Sequence, residues 1–445
     1  MKQIWKPKLV YTQGKFLEHQ GILTEDGIIR RIAGADELQQ DHPDAAVTEW
    51  ENMAMLPGTV NVHNHCFQSL LRGLATDRPF LEWRDEALYK FSPILSTEDL
   101  YKGALFAFGE MMKYGVTTVS DFFYVHNDGM AGDEAIIRAA KDLGIRLVLA
   151  RTMYDWDGAP AGYVESVEEA VEHTRELMGR YNGTGGMIQV VPAPHSLHAA
   201  SLRMIEAGYR LAEEFGTKFH IHVAEEMFEV RDVMKEHHMR PMELFRHMGV
   251  LDERMAAVHC VWLDEHEKEL MSEARASLCY CPGSNMFLAD GVTDIPKLMK
   301  GGVTIGLGSD GACSNNRISI FEEMRMAALL QKVHHLDALC VTAADALRMG
   351  TEWGGRLLDL PIGKIEEGYQ ADFVGVDLEN ISLQPLYRNY EQLLYNVVYS
   401  MQPEAVRRVV VNGKVTVSDG KILTVSETEI VRKVREVMDR FQKNR

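Results

Sequence analysis

The chain of 445 residues is predicted to be an α/β protein: a (β/α)8 barrel with a small β-sandwich domain formed from both chain ends. Three observations predict this. The middle of the chain alternates short β-branched runs with helical patterns, the pattern of parallel strands joined by crossover helices. The runs number eight, the count a closed barrel needs. Polar, charged or metal-capable residues stand at the C-terminal ends of seven runs: His63 and His65, Asp121, Arg151, His195, His222, His259 and Asp310. In such a barrel those ends converge on one mouth, where active sites lie.

The elements follow in order. Lys8-Leu9-Val10-Tyr11 and Gly27-Ile28-Ile29-Arg30-Arg31-Ile32 are β-like, with turns at Gly14, Asp26-Gly27 and Gly34. The barrel strands are expected at 59–63, 116–120, 146–150, 187–192, 218–223, 255–259, 276–280 and 303–308. Helices are expected at 98–113, 165–181, 202–215 and 318–332. The β style resumes at Ala371-Asp372-Phe373-Val374-Gly375-Val376 and again at 406–415, where Asn412-Gly413 signals a tight hairpin. A terminal helix is expected over 427–442. The expected division is therefore a composite β domain, 1–55 plus 363–445, and a hydrolase barrel, 56–362.

A formal charge of −18 argues against holding phosphate backbones, which call for a basic face, and against anionic membranes. Residues 1–10 mix lysines, a tryptophan and a proline with no apolar run after them, so no secretory signal is expected. No stretch is apolar for long enough to span a bilayer. Cys66, Cys260, Cys279, Cys281, Cys313 and Cys340 have no framework spacing and are expected as reduced thiols in a cytoplasmic protein. Cys279-x-Cys281 lacks the second cysteine pair of a zinc site and fits buried small hydrophobes in a β run.

His63 and His65 stand two apart after the first strand, so both imidazoles can reach one ion. By itself, His-x-His is also what a polar loop after a strand looks like. On the fifth strand His222 is the candidate ligand, and His220 is expected in a polar layer inside the barrel. Glu225, three residues on, can share and move the proton of a metal-bound water. Asp310 ends the eighth strand and would complete a three-histidine, one-aspartate site, though a turn residue fits the same context. Gln68 can donate and accept toward a heterocycle edge, or be an ordinary loop residue. Tyr154, Trp156 and Phe123 offer stacking surface or plain packing, and Asp121 a group that orients its neighbours.

Pro57-Gly58, His63-Asn64-His65, His222-Val223-Ala224-Glu225, His259-Cys260, Pro282-x-Ser284-Asn285 and Gly308-Ser309-Asp310-Gly311 resemble the amidohydrolase superfamily. The nearest branch is the one holding S-adenosylhomocysteine/5′-methylthioadenosine deaminases and triazine hydrolases. Ser69-Leu70-Leu71-Arg72-Gly73 and Ser314-Asn315-Asn316 extend the resemblance over nearly the whole chain. It implies one divalent metal ion held by His63, His65, His222 and Asp310, with zinc expected ahead of iron or manganese. The fourth strand ends Val191-Pro192-Ala193-Pro194-His195, without the lysine that two-metal members carry there.

The resemblance further implies an aminohydrolase that deaminates an aminated N-heterocycle, purine-, adenosyl-, pterin- or pyrimidine-like, by attack of metal-activated water. Glu225 moves a proton to a ring nitrogen, His259 polarises the attacking oxygen, Asp310 relays a proton to departing ammonia, and His195 meets the ring. Arg151 is the expected substrate-binding arginine. Two positions depart from the adenosyl enzymes. Ser92-Pro93 stands about where they place a ribose-binding glutamate, and 154–163 holds no second arginine. The alternatives are hydrolytic removal of chloride or an alkylamine from a triazine-like ring, and a barrel that only binds. The expected partner is a small heterocycle, with no nucleic acid and no membrane, and the resemblance is compatible with a homo-oligomer.

Overall fold

The computed structural model describes residues 2–183 and 186–443. Eight parallel strands form the barrel: Thr59–Asn64, Val116–Phe123, Arg146–Met153, Ile188–Pro194, Phe219–Val223, Met255–His259, Ser277–Tyr280 and Ile305–Leu307. Each falls where the β-branched runs predicted one. Side-chain alternation explains their faces. In the first strand Val60 and Val62 pack outward against Gly354, while Asn61 bonds across to Ser309 on the eighth-strand side.

The strands hydrogen-bond as two arcs of four, the first four and the last four. Short polar links close the two seams. At one, His222 N–H donates to the His195 carbonyl at 2.9 Å. At the other, Asp310 N–H donates to the His63 carbonyl at 3.0 Å, and Asn61 Oδ1 accepts the Ser309 N–H at 3.1 Å. Gly308 permits this approach, since a Cβ there would stand 2.8 Å from the His63 Cβ. Both seams carry site residues, so the ladder is interrupted where the chemistry sits.

Helices begin with satisfied caps. Ser96 with Asp99, Ser166 with Glu169, Asp264 with Glu267 and Thr342 with Asp345 form capping boxes, each contributing about 1 kcal/mol. The helices Thr97–Lys113, Val167–Tyr181, Leu202–Phe215 and Ile320–His335 occupy the predicted segments to within three residues. No described helix is long and apolar enough to cross a membrane.

Both chain ends join one nine-stranded sheet. Its order is Lys421–Ile422, Lys414–Ser418, Val406–Val411, Phe373–Asp377, Ala46–Pro57, Lys2–Thr12, Gln20–Glu25 and Ile28–Gly34, with Lys15–Glu18 paired to Lys2–Thr12. Trp5 meets Trp50 and Phe373 edge-on at 5.8 and 5.9 Å, so aromatic packing fastens the two ends together. Asn412 and Gly413 turn the expected hairpin with φ of 50° and 73°. The helix Glu427–Lys443 returns to the barrel, where Lys102 meets Glu436 at 2.8 Å and Phe441 stacks on Phe91 at 5.3 Å.

Asp372 locks sheet to barrel. Its carboxylate takes Arg146 Nη2, at the start of the third barrel strand, at 3.0 and 3.1 Å. It also accepts the Asn412 N–H at 2.6 Å, and its carbonyl accepts the Gly58 N–H. Both side chains are buried, so removing one leaves the other charge without a partner, at a cost of about 3–5 kcal/mol. Asp372→Ala is expected to lower unfolding stability by that amount in urea titration; a loss below about 1 kcal/mol contradicts the interlock.

Candidate metal centre and active site

Five barrel strands deliver one buried cluster. His63 and His65 come from the first strand and the residue after it, and His195 follows the fourth strand. His222 lies on the fifth strand, His259 on the sixth, and Asp310 follows the eighth. His63, His65 and Asp310 offer ligand atoms within 4.8 Å of one another, as do His63, His222 and His259, and Glu225, His259 and Asp310. The strand ends bend sharply to do so. His259, Asp310 and Ala224 have φ of 65°, 56° and 47°. Left-handed backbone at non-glycine residues costs on the order of 1–3 kcal/mol each and persists where the surroundings enforce it.

Hydrogen bonds outside the cluster fix what the rings present inside. His65 Nδ1 lies 2.6 Å from the Phe122 carbonyl and His222 Nδ1 lies 3.0 Å from the His195 carbonyl. A carbonyl only accepts, so both Nδ1 atoms carry hydrogen and both Nε2 atoms are turned into the cluster. His65 Nε2 faces Asp310 Oδ1 at 3.2 Å, and His222 Nε2 faces His63 Nε2 at 3.2 Å. Burial pushes the His63 imidazole down to about 3 and holds His222 well below its usual value, so these rings are neutral. Asp310 is fixed as a carboxylate by three donors: Ser284 Oγ at 2.6 Å, Ser314 Oγ at 3.0 Å and the Gly311 N–H at 2.8 Å. Neutral imidazole lone pairs and a carboxylate aimed at one point repel each other until a cation lies among them. The donor set therefore fits a divalent metal.

Glu225 and His259 stand beside this cluster, Glu225 Oε1 3.3 Å from His259 Nε2. Burial, then the nearby carboxylates Asp290 and Asp310, pushes Glu225 well above the usual carboxylate range. Such a group takes up and returns a proton readily. Asn285 Oδ1 accepts from His259 Nδ1 at 2.9 Å and orients the ring. Burial lowers the His259 imidazole, while Asp310 and Asn285 oppose the shift.

A pocket opens over the cluster, lined by His65, Gln68, His195, His222, Glu225, His259 and Asp310. Its farther wall is Phe80, Trp83, Arg84, Leu88, Tyr89, Tyr124, Tyr154 and Tyr163. Gln68 Nε2 donates to the Tyr124 hydroxyl at 3.1 Å, and its Oε1 has no partner among the described residues. His195 stacks on His222 at 4.8 Å with Nδ1 against Ser196 Oγ at 2.9 Å. His220 is buried inside the barrel, as expected, and has no part in the cluster.

Arg151, expected to hold substrate, is a correction. It is fully buried on the outer face of the third strand, with Glu165 at 2.8 Å on two nitrogens and Asp133 at 3.2 Å. The strand runs on to Met153, so Arg151 lies within it, and the two-residue alternation turns this side chain toward the helices. Phe123 likewise packs against His126, away from the pocket. Asp121 accepts the Cys66 N–H and Asn64 Nδ2, each at 2.7 Å, and so braces the His63–His65 segment. Sequence reasoning missed the roles of Ser284, Ser314 and Asn285, whose motifs stood out without chemistry attached. It also missed Arg84, Tyr89 and Tyr163, which the sequence does not distinguish from ordinary helix and loop residues.

The amidohydrolase family profile matches residues 54–416. A 5-methylthioadenosine/S-adenosylhomocysteine deaminase of Syntrophomonas wolfei is 34% identical over 427 residues, covering 95% of this chain and 94% of that one. The structure of an adenosine deaminase from Xanthomonas campestris with bound zinc superposes with a TM-score of 0.90 at 27% identity, over 99% of this chain and 98% of that one. A triazine hydrolase from Arthrobacter aurescens superposes at 0.91 with 21% identity, over 98% and 99%, a likeness of fold alone. The chain belongs to the amidohydrolase family.

Two substitutions test the centre without reference to catalysis. His222→Ala, which deletes a converging lone pair, is expected to abolish zinc binding in chelator competition. Ser284→Ala, which loosens Asp310, is expected to weaken zinc about 10–100-fold. Unchanged affinity in both variants would rule out this donor set.

Proposed function

We propose that this member of the amidohydrolase family is a zinc-dependent aminohydrolase that converts an aminated nitrogen heterocycle and water into the ring carbonyl and ammonia. The observation that carries the proposal is the pairing of Glu225 with His259 at 3.3 Å beside a converging set of three histidines and Asp310. His63, His65, His222 and Asp310 would hold the metal, which when bound acidifies water and polarises the developing oxyanion. The likeness to a deaminase at 34% identity over 95% of the chain supports ammonia as the leaving group. The triazine likeness, at 21% identity, does not carry chloride or alkylamine removal.

The chain's own residues then divide the work. Glu225, buried among carboxylates, draws a proton from water and delivers it to the ring nitrogen next to the aminated carbon. Protonation makes that carbon electrophilic, water oxygen adds, and a tetrahedral carbon bears both oxygen and amine. His259, its Nδ1–H held by Asn285, directs Nε2 toward the oxygen and stabilises charge there when protonated. Asp310 relays the remaining proton of the added oxygen to the amine, the C–N bond breaks, the oxygen becomes the ring carbonyl and ammonia leaves. His195, a buried neutral imidazole, and the free Oε1 of Gln68 meet the ring edge and orient it.

Glu225→Gln keeps the size of the side chain and removes the proton carrier. Ammonia release from the aminated ring that wild type accepts is expected to fall by about 10²–10⁴-fold with zinc content unchanged. Undiminished release would remove Glu225 from the mechanism.

A further inference from the structure

Past the fourth barrel strand the chain folds into a tight turn that brings two histidines to the pocket. The strand stops at Pro194, and Ser196 then pairs with His222 as an isolated parallel bridge. The Ser196 carbonyl accepts the Ala199 and Ala200 N–H groups at 3.3 and 2.9 Å. Asp155 fixes the end of the turn, its carboxylate accepting both the N–H and the hydroxyl of Ser201 at 2.6 Å. His195 and His198 leave this turn and both line the pocket, their rings 5.6 Å apart. Ser196 is fully buried between them. Its Oγ lies 2.9 Å from His195 Nδ1 and 3.1 Å from His198 Nδ1.

One hydroxyl cannot donate to both rings. Ser196 either donates to His195 and accepts from His198, or does the reverse. Glu229, on the helix Met227–His237, decides between them. Its Oε1 accepts the Ala224 N–H at 2.8 Å. Its Oε2 has no hydrogen-bond partner among the described residues and lies 3.5 Å from the same His198 Nδ1. The Glu229 side chain is 1% exposed, so bulk water does not serve that oxygen. A bare Nδ1 would set its lone pair against a buried carboxylate, whereas an Nδ1–H satisfies carboxylate and serine together. His198 therefore donates, Ser196 accepts, and the Ser196 O–H is left for His195 Nδ1. His195 is neutral, because burial and then the neighbouring His198 hold its imidazole well below the usual value. With Nδ1 accepting, its one ring hydrogen sits on Nε2.

We propose that Glu229, His198 and Ser196 form a hydrogen-bond chain that holds His195 in its Nε2–H tautomer. The three act as positioning residues for the aminohydrolase reaction proposed above, on which this inference rests. That reading has His195 meet the ring; the chain makes it meet the ring as a donor. Packing against His222 at 4.8 Å and Tyr154 at 4.9 Å keeps the ring from turning its other edge outward. A substrate with a bare nitrogen or a carbonyl oxygen at this edge completes the chain. One with N–H or C–H there leaves an enclosed donor without a partner, a mismatch that polar sites reject strongly.

Nitrogen NMR of isotope-labelled histidines in the zinc-loaded protein reads the tautomer without any substrate, with His195→Gln identifying the signal. A protonated Nε2 and a bare Nδ1 are expected at His195 in wild type, and a mixture of tautomers in Ser196→Ala. A protonated Nδ1 in wild type overturns the inference. Kinetics supplies a second arm. The ring that wild type accepts, drawn from aminated purines, pyrimidines and triazines, is compared with analogues in which C–H replaces one ring nitrogen not beside the aminated carbon. One replacement is expected to cost wild type about 100-fold in kcat/KM. Ser196→Ala and His198→Leu are each expected to lose about 10-fold on the parent ring, chiefly in KM, with little further loss on that analogue. His198→Asn, which puts an amide nitrogen where Nδ1 stood, should restore most of the difference. A wild type indifferent to every replacement, or replacement costs equal in wild type and both variants, would overturn the inference while the reading stands. No ammonia from any ring would count against the reading instead, and the tautomer measurement then decides the chain by itself.

Discussion

The repulsion among His65, His222, His63 and Asp310 governs the rest of this structure. Carbonyls at Phe122 and His195 hold the Nδ1 hydrogens, so His65 Nε2 points inward at Asp310 and His222 Nε2 at His63 Nε2. An apolar core would relieve that repulsion by turning the rings away. Here stacking of His222 between His195 and His259 prevents it, at 4.8 and 5.5 Å. The protein spends folding energy on a site that becomes favourable only around a cation.

The architecture supplies the rigidity this requires. The two barrel arcs meet at seams closed by backbone-to-backbone bonds that involve His63, His195, His222 and Asp310 themselves. Left-handed residues at Ala224, His259 and Asp310 are tolerated because these bonds and the serines around Asp310 leave no alternative. The terminal sheet, fastened through Asp372 and Arg146, clamps the opposite, N-terminal face of the barrel. Stability residues and chemical residues thus lie at opposite ends of the same strands.

Segments outside the barrel strands form the farther wall of the pocket. Trp83 Nε1 donates to the Cys313 carbonyl at 3.0 Å, tying the wall helix to the loop after the eighth strand. Phe441 of the terminal helix stacks on Phe91 just beyond it. The wall is therefore held from both sides, which keeps the Tyr89 hydroxyl at that of Tyr154.

The sequence by itself determined the barrel, the hairpin at Asn412-Gly413 and the pairing of His63 with His65, because each is encoded locally. Strands are written in β-branched runs, the turn in two residues that accept positive φ, and His63 and His65 in the two-residue repeat of an extended chain. Proximity in the chain did not show that the third strand continues to Met153, where regular alternation turns Arg151 outward. Arg151 was therefore expected at the mouth and lies among helices instead. Only tertiary structure could bring Asn285 to His259, Ser284 and Ser314 to Asp310, and Arg84 over Tyr89. These partners come from separate loops or from the π turn Arg84–Tyr89, whose widened pitch has no signal in residue order, and the closing of the barrel alone sets their distances.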